Sequence, residues 1–302
     1  MEESRFPAFA LIGFGEAGQA LAEGLRGEGV TRFATWDILF PDAQRGAALR
    51  AAAGRLGVRI AADCTDALGG ADIVVSAVTA SSNLDAARSA VPGLAARQFY
   101  LDINSVSPKR KREAAAIVGD KARFVDVAVM APIHPLLHRT PMLVAGAPVA
   151  DLLPLVRLCG MKADEAGAEV GAAVSVKMVR SVMIKGLEAL TQECFLAARA
   201  GGVEERIIAS LAQTFPTLDW AKIASYNLER MASHGIRRAA EMREVAHTLE
   251  ELGVEPLMTR GTIERQQRTG DAKLKDAFGG KVPEDRAAIM QALRKAAGNR
   301  RV

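Results

Sequence analysis

The chain has 302 residues, of which 49% are apolar and 25% charged, a balance typical of a globular protein with one large or two ordinary domains. Its net charge is only +4, which argues against a nucleic-acid-binding protein. The densest cationic run, at 109–112, is interpreted as a solvated helix face. No segment approaches the ~18 consecutive apolar residues of a membrane helix, so we expect no membrane association.

The three cysteines, Cys64, Cys159 and Cys194, are odd in number and widely separated. Their spacing predicts neither a disulfide framework nor a zinc site. The first residues lack the cationic start and long apolar run of a secretory signal peptide. We therefore expect a cytoplasmic protein without a metal site.

The first half of the chain alternates short apolar runs with alanine-rich amphipathic segments. The predicted strands lie at 8–12, 32–36, 58–60, 73–78, 99–102 and 124–127, and the predicted helices at 16–26, 42–53, 82–90 and 108–118. This alternation is typical of βαβ units on a parallel sheet. A further strand at 142–145, with a helix at 149–158, is predicted to extend that sheet at one edge.

The strand signal fades after about residue 171. A long helical stretch from 172 to 200 contains a single glycine, Gly186, and further helices broken by glycine and proline follow it. We predict an α/β fold: a Rossmann doubly wound parallel sheet at 1–165, followed by an all-helical domain at 166–302.

A glycine turn lies between the first predicted strand and the first predicted helix. Gly13, Gly15 and Gly18 form the pattern G-x-G-x-x-G. The first permits a tight turn, the second lets the backbone approach a pyrophosphate, and the third lets the helix pack on the strand. The helix N-terminus then presents amides and a positive dipole end to the phosphates. The predicted cofactor contacts are Gly13, Phe14, Gly15, Glu16, Ala17 and Gly18.

Asp37 ends the second predicted strand. A carboxylate there accepts hydrogen bonds from ribose hydroxyls and repels a 2′-phosphate, which favours NAD over NADP. Arg45 follows closely and leaves NADP open. A methyltransferase would carry an acidic residue just before the glycines, where this chain has Leu11 and Ile12.

Further motifs carry a family resemblance. Residues 75–79, Val-Ser-Ala-Val-Thr, are similar to a strand segment over the cofactor, and 102–108 are similar to a D-x-S-T-x-x-P turn beside the nicotinamide. Residues 171–177 are similar to a G-x-x-x-x-x-K helix with a catalytic lysine. The sequence thus resembles the β-hydroxyacid dehydrogenase and 6-phosphogluconate dehydrogenase superfamily, in the branch whose C-terminal domain has no known function.

This resemblance implies specific roles. Lys177 is the expected catalytic lysine, Val78, Thr79 and Asn104 are expected at the cofactor, and Asn104 and Ser105 at the substrate. It also implies a small anionic substrate and a homodimer formed through the helical domain.

The chain departs from the family at the substrate site. The family's Ser-Gly-Gly loop falls at 130–132, where this chain has Met-Ala-Pro, and Ser181 replaces the asparagine one turn after the lysine. The family's C-terminal Lys-Asp pair falls at Ala240 and Glu241. These changes leave the substrate undetermined.

Lys177 and its neighbours suggest the chemistry. Ser181 lies four residues after Lys177 and shares its helix face, with Arg180 at the border. The lysine can exchange a proton with the substrate oxygen while hydride transfers, and Arg180 suits a bidentate carboxylate or phosphate contact. This helix is apolar all round, so we expect it to be buried.

Two histidine-containing segments are further candidates. His134 and His138 follow the altered loop, where Pro132 and Pro135 predict irregular structure, and His134 is assigned to the substrate. The segment 233–242 holds one histidine and two arginines, either as a second anion clamp or as helix caps and salt bridges.

The sequence as a whole predicts an NAD(P)-dependent oxidoreductase acting on a small anionic, hydroxy-acid-like compound. Two alternatives stay open: an imine or pyrroline reductase on the same fold, and a non-catalytic dinucleotide-binding sensor.

Overall fold

Two units make up the chain in the computed structural model, which describes residues 6–298: one ends at Lys177 and the other begins at Met178. The first unit is built on one eight-stranded sheet, and the second contains only helices among its described residues. The predicted fold class is confirmed. The boundary predicted between residues 165 and 166 stays a prediction.

The sheet of the first unit has the order β3-β2-β1-β4-β5-β6-β7-β8. Its strands β1 to β8 are Phe9–Ile12, Phe33–Trp36, Arg59–Ile60, Ile73–Ser76, Phe99–Asp102, Arg123–Val129, Met142–Ala145 and Ala163–Gly167. The helices α1 to α6 are Glu16–Gly27, Ala47–Leu56, Cys64–Leu68, Asn83–Ala90, Pro108–Val118 and Val149–Leu158. Strand order reverses between β1 and β4, and doubly wound sheets bind their ligands at such a switch point.

The sheet differs from the prediction at its far edge. β6 and β7 pair antiparallel, so the sheet is mixed rather than wholly parallel. β8, which the sequence analysis missed, pairs parallel to β7 and reads Ala-Asp-Glu-Ala-Gly. An edge strand with solvated side chains lacks the β-branched and aromatic residues that mark a strand.

The second predicted helix starts later than expected. Residues 42–46 form turns instead, because the Asp42 carboxylate accepts hydrogen bonds from the backbone amides of Gln44 and Arg45 at 2.9 and 2.8 Å. Such local side-chain bonds compete with helix formation. α2 therefore begins only at Ala47.

The central strands β1, β4 and β5 are buried on both faces, as parallel strands between helix layers are. One apolar cluster includes Phe9, Leu11 and Val125, and a second includes Ala10, Val74 and Tyr100. Neighbouring residues of a strand thus belong to opposite layers. This core is formed entirely within the first unit.

The helices of the second unit are long. Helix α7, Ala172–Ala200, starts in the first unit and continues into the second, where α8 to α12 follow: Glu204–Thr214, Trp220–Glu251, Leu257–Asp271, Leu274–Ala277 and Arg286–Ala297. Phe195, Leu228 and Met290 belong to its apolar core. Among residues 6–298, no helix is long and apolar enough to cross a membrane.

Helices α9 and α10 pack closely where two glycines meet. A Cβ added at Gly235 would lie 2.6 Å from the Gln266 carbonyl oxygen and from the Gly270 amide nitrogen. A Cβ at Gly270 would lie 2.5 Å from the amide nitrogen of Ile236. Only glycine allows the two backbones this approach.

The expected burial of α7 is wrong for much of its apolar surface. Several of its polar side chains are buried, including Lys185, Glu188 and Gln192. Its exposed apolar side chains are Val176, Val179, Met183, Ile184, Leu187 and Leu190. Because both faces carry apolar residues, the sequence pattern alone did not distinguish the buried face from the exposed one.

Candidate dinucleotide and catalytic site

The three glycines of the turn between β1 and α1 have different surroundings. Gly13 has φ +89°, and a Cβ there would lie 2.4 Å from the Ala77 carbonyl oxygen. A Cβ at Gly18 would lie 2.5 Å from the Gly13 carbonyl oxygen, whereas a Cβ at Gly15 would meet nothing within 4 Å. Gly13 and Gly18 are thus required by packing, and Gly15 faces open space that a pyrophosphate can enter.

Helix α1 begins directly at this open space. Gly15 is its N-cap and provides no side-chain cap for the first amides. The helix end therefore presents N–H groups and a positive dipole end where phosphates would lie. Glu16, in the first turn, is exposed and Ala17 is half-buried. The residues present fit a dinucleotide.

Phe14 contributes to this turn through its backbone and its packing. Its ring is fully buried in the core, its carbonyl accepts a bond from Gln19 Nε2 at 2.8 Å, and its amide donates to Asp37 Oδ2 at 2.8 Å. Asp37 Oδ1 accepts from the Leu39 amide at 2.9 Å. Asp37 thus supports the turn, and each carboxylate oxygen keeps a lone pair for a ribose hydroxyl.

Asn104 ties together the ends of β4 and β5. Its Oδ1 accepts from the Val78 amide at 2.7 Å, and its Nδ2 donates to Ser76 Oγ at 3.0 Å and to Asp102 Oδ1 at 2.7 Å. The side chain is buried and both amide hydrogens are used within the protein. Asn104 therefore shapes the turn. Thr79 is exposed, with Oγ1 3.0 Å from Ser81 Oγ and Ser82 Oγ.

Lys177 and Ser105, predicted from separate motifs, meet in the structure. Lys177 Nζ donates a hydrogen bond to Ser105 Oγ at 2.6 Å, and both residues are half-buried. Ser105 lies in the loop after β5 and Lys177 in the second turn of α7. A partly solvated amine beside a hydroxyl can exchange protons with a bound molecule.

A buried ionic cluster lies among the same elements and was not predicted. Lys111, Asp102 and Asp126 all have fully buried side chains, with Lys111 Nζ 3.1 Å from Asp102 Oδ1 and 3.4 Å from Asp126 Oδ1. The spacing along α5 could have predicted that Lys111 is buried, because it falls on the buried stripe of this helix, formed by Pro108, Lys111, Ala114 and Val118. The run at 109–112 is therefore not wholly solvated, as the sequence analysis had it.

The remaining predicted substrate residues have different settings. Arg180 is exposed on α7, and Ser181 is buried and accepts a bond from Lys185 Nζ at 3.0 Å; both belong to the second unit. His134 is exposed in the first unit. His138, by contrast, is buried and lies 3.1 Å from Glu28 Oε1, and burial lowers its pKa. The substrate roles of Arg180, Ser181 and His134 stay predictions.

The segment 233–242 takes part in ion pairs within the second unit. Arg238 lies 2.9 Å from Glu188 Oε1, and Glu241 lies 3.1 Å from Lys185 Nζ and 3.6 Å from Arg237. These pairs support the structural interpretation of the segment. Burial, together with Arg230, Arg237, Lys275 and Arg238, lowers the pKa of His234 to about 4.

Two of the three cysteines, Cys64 and Cys159, lack the setting of a nucleophile. Burial raises the pKa of the Cys64 and Cys159 thiols to about 11, which keeps them protonated at neutral pH. Within residues 6–298, no three His, Cys, Asp or Glu side chains are grouped so as to hold a metal ion.

The fold and glycine turn define an NAD(P)-binding domain of the oxidoreductase class. Residues 8–106 match the family described as NADP oxidoreductase, coenzyme F420-dependent, and residues 198–269 match a domain of unknown function, DUF1932.

Solved structures identify the family. The chain is 38% identical to a conserved hypothetical protein from Sinorhizobium meliloti 1021, with a TM-score of 0.77 over 97% of each chain. It is 31% identical to the conserved protein MTH1747 of unknown function, with a TM-score of 0.72 over 89% of this chain and 98% of that one. MTH1747 is described as structurally similar to 3-hydroxyacid dehydrogenases. The chain belongs to this branch of the β-hydroxyacid dehydrogenase and 6-phosphogluconate dehydrogenase superfamily.

A more distant enzyme shares the fold. The 3-hydroxyisobutyrate dehydrogenase of Mycobacterium tuberculosis is 15% identical, with a TM-score of 0.72 over 96% of this chain and 99% of the other. At that identity the likeness concerns the architecture alone.

Proposed function

We propose that the protein is an NAD(P)-dependent oxidoreductase that moves hydride between nicotinamide and the carbonyl or alcohol carbon of a small anionic, hydroxy-acid-like compound. The observation that carries this proposal is the 2.6 Å hydrogen bond from Lys177 to Ser105 in the unit that holds the glycine turn. A dinucleotide-binding unit with a half-buried amine is equipped for hydride transfer coupled to proton transfer.

Lys177 is the proposed proton donor and acceptor. When bound, the dinucleotide supplies hydride for reduction or accepts it for oxidation. In reduction, the Lys177 ammonium gives its proton to the oxygen of the carbonyl; in oxidation, the neutral amine takes the hydroxyl proton. Ser105 accepts a hydrogen bond from Lys177 and so holds its Nζ in place. The positive charge of Lys177 favours an anionic substrate.

We propose NAD as the preferred cofactor. The Asp37 carboxylate stands at the end of β2 and contacts the glycine turn, where it would repel a 2′-phosphate. NAD should therefore raise the melting temperature more than NADP, and Asp37→Ser should reduce that difference. An equal response to both cofactors in the wild type would contradict this preference.

We also propose a homodimer formed through the second unit. The exposed apolar side chains of α7 recur at spacings of three and four residues, as in Met183, Leu187 and Leu190. This spacing forms a continuous stripe of the kind that pairs helices. The three free cysteines suit the reducing cytoplasm, where we place the protein.

An imine or pyrroline reductase is the second candidate. At 130–132 the chain has Met-Ala-Pro, so no hydroxyl or glycine amide stands where hydroxy-acid enzymes of the superfamily bind substrate. The same lysine could then protonate a nitrogen instead of an oxygen.

The experiment combines cofactor binding with a substrate panel. Melting temperatures with NAD, NADP and their reduced forms test the dinucleotide site. Hydroxy acids, polyol phosphates and cyclic imines are then assayed with wild type, Lys177→Ala and the control Lys162→Ala, which changes an exposed lysine. We expect Lys177→Ala to bind cofactor normally and to lose about 100-fold or more in turnover.

Three outcomes would contradict parts of this proposal. Turnover at the wild-type rate in Lys177→Ala would exclude the proposed role of the lysine. Cofactor binding without turnover of any compound would favour a sensor. No shift with any dinucleotide would exclude the proposed function.

A further inference from the structure

Two buried carboxylates lie side by side in the sheet. Asp102 and Asp126 are register partners on β5 and β6, and both side chains are fully buried. Like charges on neighbouring strands repel, and a buried carboxylate without a partner is costly. Lys111 Nζ lies close to both carboxylates, and it also donates to the backbone oxygens of Asp102 and of Val127, the latter at 3.4 Å.

Asp102 also holds the loop that carries Ser105. Its Oδ1 accepts from the Asn104 amide at 2.9 Å and from Asn104 Nδ2 at 2.7 Å. Its Oδ2 accepts from Asn83 Nδ2 at 2.7 Å. Since Ser105 directly follows Asn104, the Asp102 carboxylate fixes the backbone just before the hydroxyl that receives the lysine's hydrogen bond.

Asp126 holds the start of the helix that carries Lys177. Its Oδ2 accepts from the amides of Gly171 and Val174, both at 3.1 Å. Gly171 directly precedes α7 and Val174 lies in its first turn, where a carboxylate is favoured by the helix dipole. Lys177 follows one turn later, so Asp126 sets the position of the helix backbone from which the lysine extends.

We propose that Lys111 is a positioning residue for the Lys177–Ser105 pair. Its ammonium joins the carboxylate that orders the Ser105 loop to the carboxylate that orders the first turn of α7. This inference rests on the proposed function of Lys177. A buried ionic cluster is seldom needed for stability, because well-packed apolar residues often serve equally well. Two carboxylates and a lysine connect these two segments instead, and we take their role to be the precise placement of Ser105 and Lys177.

The test requires a variant that folds. Lys111→Met alone leaves two carboxylates without their cation and should lower the melting temperature strongly. The double variant Lys111→Met/Asp126→Asn leaves only one buried carboxylate, that of Asp102. Asp102 keeps its hydrogen bonds from Asn83 and Asn104. The new side-chain oxygen at position 126 can still accept hydrogen bonds from the α7 amides. We expect this double variant to fold and to bind NAD within threefold of wild type.

The readout is the chemical reactivity of Lys177. Each protein is treated with formaldehyde and cyanoborohydride, and dimethylation of Lys177 is measured by peptide mass spectrometry against exposed Lys162 in the same sample. We expect the relative rate at Lys177 to rise at least threefold in the double variant, because the amine is released from Ser105. Once a substrate is known, the kcat of the double variant should be about tenfold below that of wild type, with little change in KM.

A matched control loosens the same strand at its other end. Gln98 is buried just before β5 and donates to the carbonyls of Leu68 and Ala71 at 2.8 and 3.0 Å. Gln98→Met removes these bonds and should leave the reactivity of Lys177 unchanged. An equal rise in Gln98→Met, or no rise in the double variant, would overturn the positioning role.

The two proposals can fail separately. If reactivity rises but Lys177→Ala keeps full turnover, the proposed catalytic role of Lys177 fails and the positioning role stands. If reactivity is unchanged while Lys177→Ala abolishes turnover, only the positioning role fails.

Discussion

The two units arrange polar and apolar side chains in opposite ways. In the first, apolar strands are buried between helices, and the buried ions gather at the carboxyl end of β5 and the middle of β6. In the second, the buried face of α7 carries Lys185 and Glu188, while Leu187 and Leu190 are exposed.

This difference indicates what kind of contact each unit suits. The first unit has a buried apolar core and an open space at Gly15, which suits a small ligand. The second unit has satisfied much of its polar interior and leaves an apolar stripe outside, so it is suited to a further protein surface.

The largest effect is expected from breaking a buried ion pair in the second unit. Arg238→Met would leave Glu188, whose side chain is 2% exposed, without its cation. Burial already raises the pKa of Glu188, and Arg238 opposes that rise. We expect a loss of about 3–5 kcal/mol in unfolding free energy, measured by chemical denaturation, and recovery of most of it in Arg238→Met/Glu188→Gln. A single variant as stable as wild type would show that this polar interior is not held by the pair.

The next effect concerns the apolar stripe. Leu187→Glu places a charge in the proposed dimer contact and should convert a dimer to a monomer in sedimentation velocity. Leu158→Glu changes a comparably exposed leucine in α6 of the first unit, at 38% against 41%, and should leave the dimer intact. A monomeric wild type, or a dimer in both variants, would remove the contrast between the units.

A smaller effect is expected at the glycine turn. Gly15→Ala places a methyl group in the open space and should weaken dinucleotide binding at least about 10-fold, or about 1.4 kcal/mol, by calorimetric titration. Stability should change by less than about 1 kcal/mol because nothing in the protein is displaced. Gly54→Ala, where a Cβ also meets nothing within 4 Å, is the control with unchanged binding. Normal binding in Gly15→Ala would mean that the ligand does not approach there.

The smallest effect is a pH dependence of the second unit. Burial and nearby cations lower the pKa of His234 to about 4, below the ~6.5 of an unfolded chain. The unfolded state therefore binds more protons between these values, and stability falls as the pH drops from about 6.5 to 4. We expect the unfolding free energy to fall by at most about 1 kcal/mol over this pH range, because solvent screens this half-exposed ring. The melting temperature of His234→Gln should depend less on pH over this range than that of wild type or of His247→Gln. The same pH dependence in all three proteins would contradict the assignment to His234.

Local sequence patterns predicted the parts of the site that depend on single turns. The glycine turn, the loop after β5 and the lysine helix each have a fixed spacing, and the structure brings Ser105 and Lys177 together from two of them. The buried strands of the first unit were predicted for the same reason, since fully buried strands are continuous apolar runs. The solvated edge strand β8 was not predicted.

What the sequence missed depends on contacts between distant segments. Lys111 lies within a run of four cations, and its burial follows from two carboxylates on other strands. The direction of β7 is set by its pairing with β6, which its composition does not encode. The inward face of α7 is likewise chosen by the ions packed against it.

The crossing of α9 and α10 bears on how this protein can evolve. With each glycine facing the other helix's backbone, neither position can acquire a side chain unless the helices first separate. Single substitutions there should be rejected regardless of chemistry, so a mutational scan would show two intolerant positions 35 residues apart that no surface property or ligand explains.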